Sequence, residues 1–372
     1  MLEFLSLRPD TFGLDINDSS FKIIKLRKKH GFLQPVSFNE KGIAPGIVKD
    51  GIIKDEKAFI ENLKEIMDTV RGEKLGTKYV VASLPEEKSF SQVIQMPKMD
   101  EKELMSAVGF EAENYIPLPS EKMYLDFKKI DPIVDHLDHL DVLIVAVEKT
   151  IVDSYVSCLK KSGLIPVTLE IETQSIVRTL VKDETSLTPI VLIDFGGDST
   201  DFIVFSGHSI RFTSSISVSS QQVTEAISKE LGITERQAEH MKIKYGLSSK
   251  KPAHRSKAVL KTIGPVLSEL INEIQKYLEF YSGHDFHDHI PQKLGKKNNV
   301  EKIILSGGGA NLKGLDEFLS KKLGIPVEFG DPWINFSDKF KKNIPFELQK
   351  KSLSYVTALG LALRKTDSEF YQ

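Results

Sequence analysis

The chain has 372 residues, of which 40% are hydrophobic and 27% are charged, so it is long enough to bury a sizeable core. Its 50 Lys and Arg residues nearly balance 52 Asp and Glu residues, which excludes the basic excess typical of nucleic-acid binding, and its one cysteine excludes an internal disulfide framework. The longest apolar runs, at 142–147 and 190–193, are far shorter than the roughly 20 residues of a membrane span, and no signal peptide is apparent, so we expect a cytoplasmic protein.

Residues 1–85 are predicted to form the first part of one lobe. Alternating apolar residues predict strands at 12–16 and 21–26, joined by the polar turn 17–20, which is the pattern of a β-hairpin. Apolar residues at helical spacing predict a helix at 57–70, and an uninterrupted apolar run predicts a buried strand at 79–84.

Residues 86–166 have the pattern of a separate module inserted into this lobe. Asp100 is expected to cap an acidic helix over 100–114, with Glu103 completing a capping box three residues later. The helix is expected to end before the two prolines of 116–119. Strands are predicted at 89–96, 122–130 and 140–147, and a further helix is predicted at 149–162, where Cys158 is expected to be a buried small side chain.

The rest of the chain is predicted to comprise a connecting helix (167–190), a second lobe (191–352) and a C-terminal connecting helix with a tail (353–372). Predicted strands over 188–215 precede helices at 220–231, 233–245 and 259–281, then a strand at 302–306 and helices at 312–323 and 353–364. Segments 12–26 and 190–206 share one order: a strand, an Asp, a turn of small residues and a strand. This repetition predicts two related lobes of the α/β class.

The first hairpin combines features that suit a phosphate group. Asp15 ends an apolar strand, the turn exposes consecutive backbone N–H groups that can bind an anion, and Lys22 adds positive charge. A carboxylate beside a phosphate requires a cation such as Mg²⁺ between them. An ordinary polar turn is the alternative interpretation of this segment taken alone. The candidate binding residues are Asp15, Asn17, Asp18, Ser19, Ser20 and Lys22.

The second hairpin, at 192–205, repeats these features with glycines in the turn. Asp194 ends an apolar strand, and Gly196 and Gly197 allow a ligand to approach the backbone closely. Two such hairpins about 180 residues apart favour phosphate binding more than either does alone. The candidate binding residues are Asp194, Gly196, Gly197, Asp198, Ser199 and Thr200, and Asp15 and Asp194 are the candidates to hold Mg²⁺ through water.

A third element, ILSGGGANLKGL at 304–315, places three glycines between a predicted strand and a predicted helix. Such a turn lets the backbone lie flat against a planar ligand, or lets a helix N-terminus face an anion. A glycine-rich turn alone is weak evidence, and its position after the second hairpin gives it meaning. The candidate binding residues are Gly307, Gly308, Gly309 and Asn311.

These three elements, in this order, resemble those of the superfamily of actin, sugar kinases and large heat-shock chaperones. The resemblance implies a two-lobed actin-like ATPase (ribonuclease H-like) fold, with connecting helices at 169–180 and 355–363. It implies that Glu239 and Lys242, in the run AEHMK, reach the ribose and base of a nucleotide, although an exposed ion pair is the alternative. Gln174 and Glu172, on the first connecting helix, are the candidates to orient a hydrolytic water.

Within that superfamily the chain resembles the PilM family of type IV pilus assembly proteins over essentially its whole length. The resemblance lies in the length, the FEAENYIPLP segment at 110–119, the run AEHMKIKYGL at 238–247, and the module at 86–166, where PilM and the division protein FtsA carry an extra subdomain. It implies binding of ATP and Mg²⁺ between the lobes. It also implies binding of the cytoplasmic N-terminal tail of the inner-membrane protein PilN, between the module and the first lobe, which would hold the protein beside the inner membrane. Other proteins of the pilus platform are further expected partners, and the conformation is expected to depend on the bound nucleotide.

Two other functions are compatible with the same fold. A small-molecule kinase would need an acceptor pocket and a catalytic carboxylate, for which the sequence offers no clear candidate. An FtsA-like filament protein would carry a C-terminal amphipathic anchor, and the final residues KTDSEFYQ are too short and too acidic for one. The rate of any ATP hydrolysis stays open.

Overall fold

The computed structural model describes residues 9–29, 32–116, 118–133, 137–247, 254–284, 299–337 and 344–364. The strands are β1 (Phe12–Ile16), β2 (Ser20–Lys29), β3 (Phe32–Gly42), β4 (Val48–Lys49), β5 (Ile52–Ile53), β6 (Arg71–Gly72), β7 (Tyr79–Leu84), β8 (Ser89–Pro97), β9 (Met123–Lys129), β10 (His139–Glu148), β11 (Ile165–Ile171), β12 (Ser186–Phe195), β13 (Thr200–Gly207), β14 (Ser209–Ile216), β15 (Lys302–Ser306) and β16 (Val327–Phe329). The helices are α1 (Glu56–Asp68), α2 (Glu101–Ala112), α3 (Lys149–Lys161), α4 (Glu172–Leu180), α5 (Ser220–Leu231), α6 (Glu235–Tyr245), α7 (His254–Gly283), α8 (Leu315–Leu323), α9 (Phe346–Lys350) and α10 (Val356–Leu363).

The first lobe is built on a mixed sheet with the strand order β11-β7-β1-β2-β3-β6. β1 and β2 form the predicted hairpin, in which Asp15 lies opposite Lys22. β3 and β11 were not predicted, and residues 169–171, predicted as the start of a helix, are the end of β11. The helix begins only at Glu172 because Leu169, Glu170 and Ile171 pair in parallel with β7.

The second lobe repeats this arrangement in the strand order β14-β13-β12-β15-β16. β12 and β13 form an antiparallel hairpin in which Asp194 lies opposite Asp201, and β12 also pairs in parallel with β15. In the first lobe, β1 pairs antiparallel with β2 and parallel with β7 in the same way. The repetition predicted from segments 12–26 and 190–206 is therefore present, and each lobe has its own buried core.

The inserted module, as the name is used below, consists of the sheet β8-β10-β9 and the helix α2. The predicted capping box at Asp100 and Glu103 is present, because each side chain bonds the other residue's backbone N–H. Apolar residues of α2 and of the sheet form a core of their own. The following helix, α3, instead buries Cys158 and Tyr155 in the core of the first lobe. The domain boundaries proposed from the sequence stay a prediction.

The lobes meet at a waist where α10 crosses both α4 and β1. A side chain on Gly360 would overlap the carbonyl oxygen of Ser175, and one on Gly13 would overlap the backbone of α10. The Thr179 hydroxyl donates to the Val356 carbonyl at 2.9 Å across the same crossing. The backbones therefore approach closely only because two positions carry no side chain.

Several helices of the C-terminal half begin at residues other than those predicted, and α7 begins at His254, five residues before its predicted start at 259. The glycine-rich turn continues into a short 3₁₀ turn, Gly308–Asn311, so α8 begins at Leu315 and not at residue 312. Ser352–Tyr355 form another 3₁₀ turn, so α10 begins at Val356. The predicted tail at 365–372 lies outside the described residues. None of the helices among the described residues is long and apolar enough to cross a membrane.

The lack of a side chain at Gly360, where α10 crosses α4, can be tested by substitution. We expect Gly360→Ala to lower the free energy of unfolding by about 2–3 kcal/mol, because the added methyl group forces α10 away from the Ser175 carbonyl. Gly109→Ala in α2 is the matched control, since nothing lies near its added methyl group and alanine favours the helix. Urea unfolding of both variants checks this, and equal stability of the two would contradict the waist assignment.

Candidate functional site

A cleft of about 560 Å³ lies between the lobes and is lined mainly by the two hairpins, the glycine-rich turn and the start of α4. This volume suits a ligand of nucleotide size. The residues predicted from the sequence that line this interlobe cleft are Asp15, Asn17, Asp18, Ser19, Ser20, Lys22, Glu172, Asp194, Gly196, Gly197, Asp198, Ser199, Gly307 and Gly308.

Asp15 and Lys22 form a buried ion pair at the first-lobe side of the cleft. The Lys22 Nζ donates to Asp15 Oδ2 at 3.2 Å, which the seven-residue spacing across the hairpin allows. Burial raises the pKa of Asp15, although Lys22 opposes the shift. Burial alone would lower the pKa of Lys22, but the carboxylates of Asp15 and Glu40 raise it. Lys22 therefore stays charged and faces the cleft.

The turn of the first hairpin is held by its own side chains. The Asn17 backbone N–H donates to the Ser20 carbonyl at 3.0 Å, which closes the turn. The Asp18 carboxylate accepts from the backbone N–H of Asp50 at 2.5 Å and of Gly51 at 3.0 Å. Asp18 is therefore occupied with holding a neighbouring loop, and it supports the cleft wall.

The two hairpins touch each other across the cleft. The Ser19 backbone N–H and hydroxyl both donate to Asp198 Oδ2, at 3.1 and 2.7 Å. A side chain on Gly197 would lie 3.0 Å from the Ser19 hydroxyl oxygen, so glycine there allows the approach. The two donors of Ser19 that could bind an anion therefore already hold a carboxylate of the opposite lobe.

The second hairpin is held by β15 and by α5. The Ser306 hydroxyl donates to Asp194 Oδ1 at 2.5 Å. The backbone N–H groups of Ser220 and Gln221, at the start of α5, donate to the carbonyls of Gly196 and Gly197 at 3.0 and 3.1 Å. These contacts fix the loop after Asp194, the region predicted to approach a phosphate.

Carboxylates crowd the floor of the cleft. Burial raises the pKa of Asp194 to about 6, although the bond from Ser306 opposes this shift. Burial, followed by the charges of neighbouring carboxylates, raises the pKa of Asp201 and of Glu172 well above the usual range. Burial also raises the pKa of Glu86, which accepts a bond from the Thr173 hydroxyl at 2.7 Å. The cleft therefore favours an added cation.

The donor set at Asp15 fits Mg²⁺. Asp15 Oδ1 is buried and has no hydrogen-bond partner among the described residues, as a carboxylate oxygen left for a cation would. Within the described ranges no three His, Cys, Asp or Glu side chains come close enough to hold a metal ion by themselves. Mg²⁺ usually keeps several waters and takes only one or two protein carboxylates, so a site with fewer than three such side chains is compatible with Mg²⁺.

The glycine-rich turn packs against the second hairpin. A side chain on Gly307 would overlap the Phe195 carbonyl, and one on Gly309 would lie 2.5 Å from the Phe195 ring. Gly307 also has a φ of +88°, a region that favours glycine. Asn311 does not line the cleft but a neighbouring hollow, where its side chain donates to the Gly308 carbonyl at 3.1 Å.

The structure does not bring every predicted residue to the cleft. The Thr200 hydroxyl is buried and donates to the Val218 carbonyl at 2.5 Å, and Thr200 does not line the cleft. Glu239 and Lys242 form an ion pair of 2.7 Å, and Lys242 is buried against Ser220. This pair does not line the cleft. Through Lys242 it contacts Ser220, the first residue of α5.

Glu172 and Gln174 are separated by the geometry of α4. Glu172 lines the cleft, whereas Gln174, two residues on, faces a different hollow between the inserted module and the first lobe. Residues two apart on a helix point in different directions, so only one of the pair can face a given site. Glu172 is the candidate of the two that lies in position to act in the cleft.

Sequence reasoning missed Asp201 and Glu86 as cleft residues. Asp201 could have been found, because it lies seven residues after Asp194, as Lys22 lies seven after Asp15, and both pairs are cross-strand partners. Glu86 lies in a short 3₁₀ turn that leads into the inserted module. Nothing in its local sequence distinguishes it from an exposed glutamate.

The hollow that contains Gln174, called the module groove below, has a volume of about 360 Å³. It lies between β9 and β10 of the inserted module on one side and β11 on the other. β9 and β11 each stand at the end of their sheet, so both present a strand edge. The apolar residues that line it are Leu84, Tyr124, Leu125, Phe127, Leu143, Val145, Val147, Val152, Val167, Leu169 and Ile171.

Comparison with known proteins identifies a family. A family model described as type IV pilus assembly protein PilM matches residues 13–366. The solved structure of a PilM–PilN type IV pilus biogenesis complex is 27% identical to this chain, with a TM-score of 0.77, and the match covers 97% of this chain and 99% of that chain.

Other proteins are also similar to this chain, over part or most of its length. Cell division protein FtsA of Buchnera aphidicola is 28% identical over 317 residues, which are 82% of this chain and 67% of the FtsA chain. For FtsA of Neisseria meningitidis the identity is 25%, over 51% of this chain and 48% of that protein. MreB 5 of Spiroplasma citri, solved with AMPPNP, is 15% identical with a TM-score of 0.56 and covers 95% of both chains. The actin-like ATPase fold predicted from the sequence is confirmed.

The raised pKa of Asp194 predicts how pH affects stability without ligand. Its folded pKa of about 6 exceeds the ordinary value of 3.8, so this carboxyl destabilises the fold above about pH 6 and not below about pH 4. We expect Asp194→Asn to stabilise the protein at about pH 7 by on the order of 1 kcal/mol, and not at about pH 4. Urea unfolding in EDTA at both pH values checks this, and a pH-independent difference between the proteins would contradict it.

Proposed function

The chain belongs to the family of the type IV pilus assembly protein PilM, and we propose that it binds Mg²⁺-ATP in the interlobe cleft and the cytoplasmic tail of a PilN-like membrane protein in the module groove. The observation that carries the nucleotide part is the pair of hairpins meeting across the cleft, each with an Asp at the end of its first strand. The partner part is supported by the likeness to the PilM–PilN complex over 97% of the chain.

The charges in the cleft favour a nucleotide bound together with its metal. Lys22 is a buried cation among several carboxylates, including Asp15, Asp194 and Asp201. A bare triphosphate would be repelled by this excess of negative charge. Mg²⁺ between the phosphates and the carboxylates removes the repulsion, so metal and nucleotide bind as a unit.

In this proposal, the predicted residues that line the cleft take different roles. Asp15 and Asp194 would hold Mg²⁺, whose positive charge would neutralise the phosphate oxygens. The backbone of both turns and Lys22 would contact the phosphates, and Gly307 and Gly308 would allow the adenosine to lie against the second lobe. Glu172 is the residue that we assign to water orientation, since Gln174 faces the module groove.

The module groove suits an extended apolar peptide. Its walls are mostly aliphatic and aromatic, and its two sides are the edge strands β9 and β11. An extended peptide can add to such an edge through backbone hydrogen bonds, while alternate side chains enter the apolar hollow. A partner that is itself anchored in the inner membrane would hold this protein at the cytoplasmic side of the pilus platform.

Calorimetry of ATP binding tests the nucleotide proposal. We expect the wild type to bind ATP with Mg²⁺ present and to lose this binding in EDTA, because the carboxylates repel the free nucleotide. Asp194→Ala should weaken Mg²⁺-ATP binding by at least about tenfold, since it removes one proposed metal partner. The matched control is Asp316→Ala, which lies outside the cleft. Equal affinity with EDTA and with Mg²⁺ would refute the proposal.

Anisotropy of a labelled peptide tests the partner proposal, with the peptide copied from the N-terminal tail of the PilN-type protein of the same organism. We expect Val167→Glu to weaken binding by at least about tenfold, because it places a charge in the apolar groove. Ile165→Glu is the control on the same strand, since its side chain is exposed and does not line the groove. Equal loss in both variants, or none in Val167→Glu, would contradict the groove assignment.

A further inference from the structure

The inserted module, although part of the first lobe in sequence, is attached to the second lobe. Arg211 on β14 donates from Nη1 to Asp141 Oδ2 on β10 at 3.3 Å. The hydroxyls of Ser91 on β8 and Thr213 on β14 are hydrogen-bonded at 2.9 Å. Strands β8 and β10 of the module therefore contact β14, the edge strand of the second-lobe sheet, through side chains.

The Asp141–Arg211 pair is built to hold one position. Both side chains are nearly inaccessible, with exposed fractions of 5% and 3%. Arg211 is also fixed from its own lobe, since its Nε donates to the Ser206 carbonyl at 3.1 Å. A buried ion pair adds little net stability because of the cost of desolvation, but breaking it leaves an uncompensated charge. Its geometry therefore resists sliding of the module over β14.

On its other side, the module is tied to the first lobe only at one end: β10 runs directly into α3, Val147 lies in the first-lobe core, and the Tyr124 hydroxyl donates to Asp153 Oδ1 at 3.1 Å. Beyond that end, the module faces β11 across the module groove. The two attachments thus differ: the contact with the second lobe is an interface of paired charges and hydroxyls, and the boundary with β11 includes a hollow of about 360 Å³. A module tied to the first lobe at one end, through α3, and to the second lobe along β14 changes its tilt relative to β11 when the angle between the lobes changes.

We propose that Asp141 and Arg211 are positioning residues that make the width of the partner groove depend on the angle between the lobes. When the lobes separate, the module tilts with the second lobe and its wall of the groove moves away from β11. A ligand that holds the lobes together holds the groove at the width seen here. Nucleotide in the cleft and peptide in the groove therefore bind cooperatively. This inference rests on the proposed function, because it couples the two sites proposed there.

The coupling is measured as a ratio of affinities. The peptide of the PilN-type tail is titrated into the protein with and without saturating Mg²⁺-ATP. We expect nucleotide to tighten peptide binding by at least about fivefold in the wild type, and peptide to tighten nucleotide binding by the same factor. A wild-type ratio of one or less overturns the inference. If either ligand fails to bind the wild type at all, the proposed function itself fails, which is a different result.

Substitution of Asp141 and Arg211 tests whether their ion pair couples the two binding sites. The double substitution Asp141→Leu with Arg211→Met removes both charges of the pair, so that neither is left buried without the other. We expect each ligand alone to bind within about twofold of the wild type, while the ratio falls close to one. A double variant that binds both ligands and keeps the wild-type ratio overturns the inference.

A second variant guards against poor folding of the first. Ser91→Ala removes the hydroxyl contact of the same interface and should also lower the ratio, while Thr213 is kept because it also bonds the cleft residue Glu86. The matched control is Glu56→Gln, which removes the exposed ion pair with Lys161 within the first lobe and should leave the ratio unchanged. A merely structural role of the interface would lower thermal stability without changing the ratio, and that result would overturn the inference.

Discussion

The close crossing of α10 over α4 and β1 is the constraint on which the cleft depends. Gly360 and Gly13 let three backbones meet where any side chain would separate them. The first residue of α4, Glu172, and the end of β1, at Asp15, both lie at the cleft end of this crossing. A change in the crossing would therefore move the carboxylates of the floor relative to the hairpin turns, far from the substituted atom.

The two hairpins have the same backbone arrangement, but the residues that face their first Asp across the hairpin carry opposite charges. Asp15 faces Lys22 across its hairpin, and Asp194 faces Asp201 across the other. One lobe therefore presents a neutralised pair and the other presents two carboxylates with raised pKa values. The cleft is therefore more negative on the side of the second lobe. A cation would be stabilised most between Asp15 and the second lobe.

Much of the fold could be predicted because local signals were strong. The capping box at Asp100 and Glu103 and the hairpin around Asp194 depend on neighbours in sequence, and both are present. Strand β11 was missed because it begins Ile165-Pro166 and pairs with β7, in which the partner of Ile165 is Tyr79, so only tertiary pairing reveals it. The site residues stay a prediction, and side-chain direction was the weakest part of that prediction. Spacing alone did not show that Thr200 points into the core or that Gln174 faces the module groove.

The contact between Ser19 and Asp198 affects how strongly the first hairpin turn would bind a phosphate. The N–H and hydroxyl of Ser19 are satisfied by a carboxylate of the same chain, tethered at hydrogen-bond distance. A phosphate that reaches this turn would exchange one acceptor for another, so the turn would contribute only the difference between two hydrogen-bonded states. Asp198 therefore competes with a phosphate for the donors of Ser19. Because Asp198 belongs to the same chain, its effective concentration at the turn is high, and a weakly charged ligand would not displace it.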